Sequence, residues 1–351
     1  MGKFSAGQSI VKRKRPGIFS RILIPGGNLL LLWLFLSTLI AYIPTPFIRG
    51  EMFFSYPPRF IYLFLATALA FFFFLKRFFL RFFLSLLIFL LLLFQVGLGG
   101  GTKKFNSEYY TLLAFNVHDA TDRVSVLKGL CDRYDVDFLV LQEVKEKNRQ
   151  PFIEGLENYE FFWGDKTKEF ANSHIWPFTS ITGIKKSLIR ENRPFIETAI
   201  TDFRTFAVRL DLREGPFWLV NVHMFKPFSN QDGLFGYAGK LGRQARRHVT
   251  EGNLLKGWMG QHSSDPVIIA GDFNAPYYSR YFRLPHMHNA HREAGHGLHK
   301  TFPANFPVWG IDHSFGNQYI KFHSYDVSPA GFSDHLAQLV RFSITGGKQQ
   351  S

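Results

Sequence analysis

Residues 22–43 of this chain read ILIPGGNLLLLWLFLSTLIAYI, without a single charge. At about 1.5 Å per residue, a helix of that length crosses a hydrocarbon core of roughly 30 Å. The segment therefore predicts a membrane span, ended by Pro44 and Pro46. Two further apolar runs, residues 60–75 and 82–98, predict a second and a third span near the lower length limit. Lys76, Arg77 and Arg81 separate them and can snorkel to headgroups. A long interfacial hairpin over residues 60–98 is the alternative. The apolar core starts late and is followed by more apolar sequence, which argues against a cleaved signal peptide.

Charge follows the same division. The chain carries 41 Lys and Arg against 27 Asp and Glu, a net +14. Thirteen of those cations lie in residues 1–104, opposed by Glu51 alone, so the remainder is close to neutral. The basic balance thus flanks apolar runs and is no nucleic-acid footprint. Six Lys or Arg precede the first span, two sit in the first loop, three in the second and two after the third. By the positive-inside rule the N-terminus is cytoplasmic and everything after residue 101 is extracytoplasmic, at a bacterial inner or plasma membrane. The run from Gly97 to Gly101 predicts a flexible linker between an anchor, residues 1–101, and a catalytic domain, residues 105–345. The one cysteine, Cys131, excludes an intrachain disulfide.

Beyond Tyr109 the texture becomes short strands and amphipathic helices. Strands are predicted over 110–116, 138–142, 180–184, 206–212, 217–223 and 267–270, with others at the C-terminus from about His335. Helices are predicted over 122–134, where Val124, Leu127, Leu130, Cys131 and Tyr134 are spaced three and four apart, and over 242–259. Dominant strands with interspersed helices predict a two-sheet α/β sandwich.

Polar residues recur where apolar strands end. Asn116 follows LLAF, Glu143 follows FLVLQ, His223 follows FWLVNV, and Asp272 and Asn274 follow VIIAG. Asp312 follows WGI, and Asp334 and His335 sit in GFSDHLAQLV. Singly, an Asx after a strand is a turn former. Together these residues suit metal-assisted phosphoester chemistry. Carboxylates and amide oxygens suit Mg²⁺ or Mn²⁺, and histidines stabilise or protonate a phosphoryl group.

The stretches AFNVH, LVLQEV, VNVHM, IIAGDFNA, GIDHSF and GFSDHLAQLV, in that order, resemble the endonuclease/exonuclease/phosphatase superfamily, the deoxyribonuclease I-like fold. The resemblance spans about residues 110–343 and implies two facing sheets with helices outside. It implies Glu143 as the main metal ligand, with Asn116 beside it and Asp334 as a second acidic group near the metal. His223 and Asn274 are implied to contact or position the scissile phosphate, and Asp312 to pair with the catalytic His335. Asp272 and His335 are implied jointly to activate water for in-line attack. The region ITGIKKSLI departs from the family's usual pattern, and residues 164–177 do not align with it, which leaves specificity open.

The function that follows is a membrane-anchored, divalent-metal phosphoesterase, with the lipid bilayer and a phosphoester substrate as partners. A tether of a few residues favours a lipid-linked phosphate or pyrophosphate. A nuclease on DNA or RNA and a non-catalytic membrane-bound binding protein are the alternatives. Three weaker signals remain. Arg243, Arg246 and Arg247 read as a solvated helix face or a phosphate contact. His286, His288, His291, His296 and His299 form an irregular histidine-rich stretch that could bind a transition metal. Phe302, Phe306 and Trp309 read as core.

Overall fold

The computed structural model describes residues 18–40, 59–96, 98–101, 108–119, 123–145, 149–164, 178–189, 195–202, 204–226, 237–279 and 284–345. The N-terminal apolar runs form three helices, α1 (Ile18–Ile40), α2 (Arg59–Leu75) and α3 (Phe79–Val96). They pack on one another through Leu34, Ala66, Phe73, Ile88 and Leu92. Their outer faces stay apolar: Ile22, Phe64 and Leu80 are 69, 72 and 84% exposed.

The sequence predicted three spans, and the structure corrects that. Among the described residues only α1 is both long and apolar enough to cross a membrane, over Ile22–Leu39. The other two are shorter apolar stretches, Arg59–Leu75 and Phe79–Leu93. Cations bound α2, with Arg59 at its start and Lys76 and Arg77 in the turn after it, and Arg81 sits in the first turn of α3. The last residues of the predicted first span, with Pro44 and Pro46, lie outside the described residues.

The predicted glycine linker is also corrected. Gly99 and Gly100 form a short strand, β1, antiparallel to β11 (His296–Gly297). A Cβ on Gly99 or Gly101 would come within 2.4 Å of backbone at Gly295 or Ala294. These glycines permit close backbone approach, so they act as a seam rather than a swivel. The seam is reinforced where the Tyr277 hydroxyl donates to the Gln95 carbonyl at 2.6 Å.

The remaining chain builds two six-stranded sheets. One has the order β13 (Ile320–Ser328), β14 (Ala337–Ile344), β2 (Tyr110–Asn116), β3 (Phe138–Lys145), β5 (Phe178–Lys185), β4 (Tyr159–Trp163). The other has the order β10 (His288–Asn289), β12 (Asp312–Gly316), β9 (Val267–Asp272), β8 (Gly215–His223), β7 (Thr205–Leu212), β6 (Phe195–Asp202). Each sheet holds one parallel pair, β2 with β3 and β8 with β9. The sheets face each other across Leu112, Phe138, Phe206, Phe217, Ile268 and Phe342. Helices α4 (Val124–Tyr134) and α5 (Arg149–Gly155) cover the first sheet's outer face, and α6 (Tyr237–Gln261) covers the second. The central strands are therefore buried on both faces, which explains their continuous apolar runs. Helix α7 (Ala290–Ala294) lies between β10 and β11.

The sandwich is as the sequence implied. Strands β4 and β6 went unpredicted; both are sheet edges. At the ends of β8 and β9 the two sheets are pinned by buried amides. Gln142 Nε2 donates to Asn221 Oδ1 at 2.9 Å, and Asn221 Nδ2 donates to the Ile181 carbonyl at 2.9 Å. Gly271 fits beneath this clasp at φ +135°, and a Cβ there would stand 2.1 Å from the Val222 carbonyl oxygen. The glycine of the GDFN stretch is thus demanded by both conformation and space.

Candidate active site

The parallel registers bring the predicted residues to one edge. His223 and Asp272 are paired neighbours at the ends of β8 and β9. Asp312 opens β12 opposite Asp272, and Asn116 closes β2. Glu143 sits in β3 at an irregularity in its pairing with β5, at φ +56°. A non-glycine residue in that region is strained, and such strain gathers at functional sites. Here it places the carboxylate among the polar groups.

Two constellations result. In the first, Asp272 is fully buried and held by amides. Asn116 Nδ2 donates to it at 3.0 Å, Asn274 Nδ2 at 3.1 Å and the Asn274 backbone N–H at 2.8 Å. Burial, with Asp312 nearby, raises its carboxyl above the usual range. In the second, His335 Nδ1 lies 2.9 and 3.0 Å from the two Asp312 oxygens, which fixes the ring. Its Nε2 faces Asp272 at 3.9 Å. Burial alone would lower the His335 pKa, but Asp312 and Asp272 outweigh it and raise it to about 9. Phe302 closes over the imidazole at 4.8 Å between ring centres. The Thr301 hydroxyl accepts the Asp312 backbone N–H at 3.2 Å.

Glu143 is 2% exposed and meets three positive or protonatable groups. Lys226 Nζ is 2.9 Å away, His118 Nδ1 3.3 Å and His223 Nε2 3.5 Å. Burial would raise its carboxyl, but bonds to His118 and His223 and the Lys226 charge hold it far below the usual range. His223 Nε2 is buried, and its contact with Glu143 Oε1 at 3.5 Å is long for a hydrogen bond. Glu143, His223 and Asp272 offer ligand atoms within 4.8 Å of one another, as do Asp272, Asp312 and His335. Two such groups of buried carboxylates with an imidazole are a donor set that fits a divalent cation. Asp334, predicted beside the metal, is 41% exposed at the rim, 3.7 Å from His118 and 3.9 Å from His335.

A family model for the Endonuclease/Exonuclease/phosphatase family matches residues 113–335. The chain belongs to that family. As a member of the Endonuclease/Exonuclease/phosphatase family it is a hydrolase of phosphoester bonds. No curated protein sequence matches it. Solved structures share the fold. The endonuclease/exonuclease/phosphatase from Bacteroides vulgatus is 16% identical with a TM-score of 0.53, covering 68% of this chain and 100% of that one. A humanized D. rerio TDP2 is 15% identical with a TM-score of 0.54, covering 68 and 100%. The mannosyl-6-phosphatase Bt3783 of Bacteroides thetaiotaomicron is 15% identical with a TM-score of 0.50, covering 67 and 100%.

His118 and Lys226 were not among the sequence candidates. Each stands two or three residues beyond a candidate, after Asn116 and after His223, so the strand-end pattern could have included them. The weaker signals resolve differently. Arg246 and Arg247 are exposed, and Arg247 lies 4.4 Å over the Phe225 ring, while the Arg243 side chain lies outside the described residues. The histidine stretch disperses: His291 stacks on His299 at 4.8 Å, His288 pairs with Glu293 at 3.1 Å, and among the described residues none joins a metal-sized group. Phe306 is 76% exposed, not core. Residues 165–177 lie outside the described residues.

Proposed function

We propose that this chain is a membrane-anchored, Mg²⁺- or Mn²⁺-dependent phosphoesterase that hydrolyses a lipid-linked phosphoester or pyrophosphate outside the cytoplasm. The observation that carries the chemistry is the facing pair of Asp272, held by three amide hydrogen bonds, and His335, held by Asp312. Asp272 and His335 together orient a water and take up its proton. His223 and Lys226 present donors to phosphoryl oxygens, and Asn274 holds Asp272 in place beside them. Glu143, with Asn116 and Asp334, would hold the cation. When bound, it would polarise the phosphoryl group and offset its charge.

Two observations support the bilayer. The helices α1 to α3 are apolar outside as well as inside, whereas a soluble bundle is polar outside. The anchor also docks on Pro276 to Tyr278 and on the strip from Leu298 to Gly310, which lead directly from Asn274 and into Asp312. A site braced this closely to the anchor suits a substrate that stays at the membrane. The near-neutral catalytic half lacks the basic footprint that a nuclease uses.

The full chain in detergent, with Mg²⁺ or Mn²⁺, is expected to cleave polyprenyl pyrophosphate or phospholipid faster than duplex DNA, RNA or inositol phosphate, and EDTA is expected to stop it. Activity indifferent to EDTA removes the metal, and activity confined to nucleic acid removes the lipid. Protease added outside intact cells should digest residues 105–345 once the outer barrier is opened. Protection of that half would place it in the cytoplasm.

A further inference from the structure

Anchor and catalytic domain meet around a cavity of about 40 Å³. That is room for about three waters or one tetrahedral oxyanion. Arg59, Lys300, Tyr277, Tyr278 and Trp309 line it. Arg59 is 3% exposed, and among the described residues its guanidinium nitrogens meet no carboxylate and make no hydrogen bond of good geometry, with the neutral Tyr278 side chain as their nearest polar neighbour. The guanidinium lies between two rings, 5.2 Å from the centre of Tyr62 and 4.8 Å from that of Tyr278. Ring faces moderate a charge but accept little from five donors. A buried cation without an anion is costly, and native structures rarely keep one without use.

Three features say what would satisfy it. Lys300 brings a second cation to the same wall, its Nζ 4.8 Å over the Phe60 ring. Helix α2 begins at Arg59, so the positive end of its dipole lies at the cavity. The planar guanidinium fork matches the oxygens of a phosphate. We infer that this junction binds a phosphate group, with Arg59 donating to its oxygens and Lys300 supplying the second charge. The bearer the geometry favours is the headgroup of an anionic phospholipid. α2 starts and α3 ends here, so the cavity lies where the anchor's apolar surface stops. Tyr and Trp, as at Tyr277, Tyr278 and Trp309, are the residues that settle at that level of a bilayer. The inference rests on the membrane-anchored part of the proposed function and involves none of the hydrolytic residues.

The test uses the full chain in a zwitterionic detergent, with thermal unfolding followed after addition of phosphatidylcholine, phosphatidylglycerol or sodium phosphate at matched ionic strength. Phosphatidylglycerol is expected to raise the midpoint by at least about 2 °C over phosphatidylcholine. The gain is expected to vanish in Arg59→Gln, shrink in Lys300→Gln and persist in Arg77→Gln at the far end of α2. The same variant pattern with sodium phosphate alone assigns the site to free phosphate. A gain equal in wild type and both cavity variants, or none with either anion, overturns the inference. If Arg59→Gln fails to fold, Lys300→Gln decides alone. Flotation with phosphatidylcholine vesicles reads the anchor separately. A chain that floats but shows no headgroup preference loses the site and keeps the anchor. One that does not float but needs Arg59 for its phosphate response keeps the site and loses the anchor.

Discussion

Replacing His335 with alanine is expected to slow phosphoester hydrolysis by about 10²–10⁴-fold, the range for losing a positioned proton-transfer group. The fold should persist, because the ring packs in one pocket between Phe302 and Asp312 rather than at a sheet centre. Asp312→Asn tests the same dyad without removing the ring. Asp312 is the leading charge that lifts His335 to about 9, so its loss should lower that pKa and carry the acid limb of the rate profile, where the imidazole becomes neutral, to lower pH. The stability effect has a definite sign. A histidine raised from 6.5 to about 9 on folding contributes stability that is fully present below pH 6.5. That contribution fades as pH climbs through 9, and Asp312→Asn should show less of this fading. Unfolding midpoints between pH 6 and 10 and kcat across the same range check both. A His335→Ala rate within threefold of wild type would falsify the role.

The site was legible because parallel strand pairs turn sequence ends into spatial neighbours. Asn116 and Asp272 are 156 positions apart yet share a hydrogen bond, and each was visible as the polar residue closing an apolar run. What stayed hidden has other physics behind it. Gln142 and Asn221 lie within or at the ends of apolar strands, and Asn221 is satisfied by partners on the other side of the sandwich, so no local pattern announces them. Lys226 becomes meaningful only once Glu143 is seen against it. The glycines before the catalytic domain looked like slack chain because composition alone does not tell freedom from close packing. The edge strands β4 and β6 sit beside stretches whose sequence gave no alternation, and edges need less of it than centres. The second and third apolar runs read as spans because they sit at the lower length limit, where a few residues decide, and the apolar stretches of their helices are shorter than that of the first.

Replacing Glu251 with alanine is expected to be the most damaging single change away from the reacting groups, costing about 3–5 kcal/mol. Glu251 rises from α6 into the domain, where Arg204 is 2% exposed and its Nη2 donates to Glu251 Oε1 at 3.0 Å. The other oxygen accepts the Phe225 backbone N–H at 3.3 Å, and Nε2 of His248 on the same helix hydrogen-bonds the Phe225 carbonyl. Arg204 also lies on the Phe225 ring. The segment that leaves His223 and delivers Lys226 is thus clamped to α6 at both backbone groups of Phe225. Alanine at 251 would take from a buried guanidinium the carboxylate it donates to, and breaking a buried pair on one side is the costly case. Against a typical total stability of about 5–15 kcal/mol that is a large share, and the midpoint should fall by about 10 °C. The double variant Arg204→Met/Glu251→Leu should recover most of the stability, because it removes both charges while keeping the volume. It should not recover the rate, since the Phe225 N–H loses its hold on Glu251, with only His248 left on the carbonyl, and the approach of Lys226 to Glu143 loosens. Calorimetry and kcat on the two variants and wild type separate these effects. A Glu251→Ala midpoint within 2 °C of wild type would show that the pair is not what holds this loop.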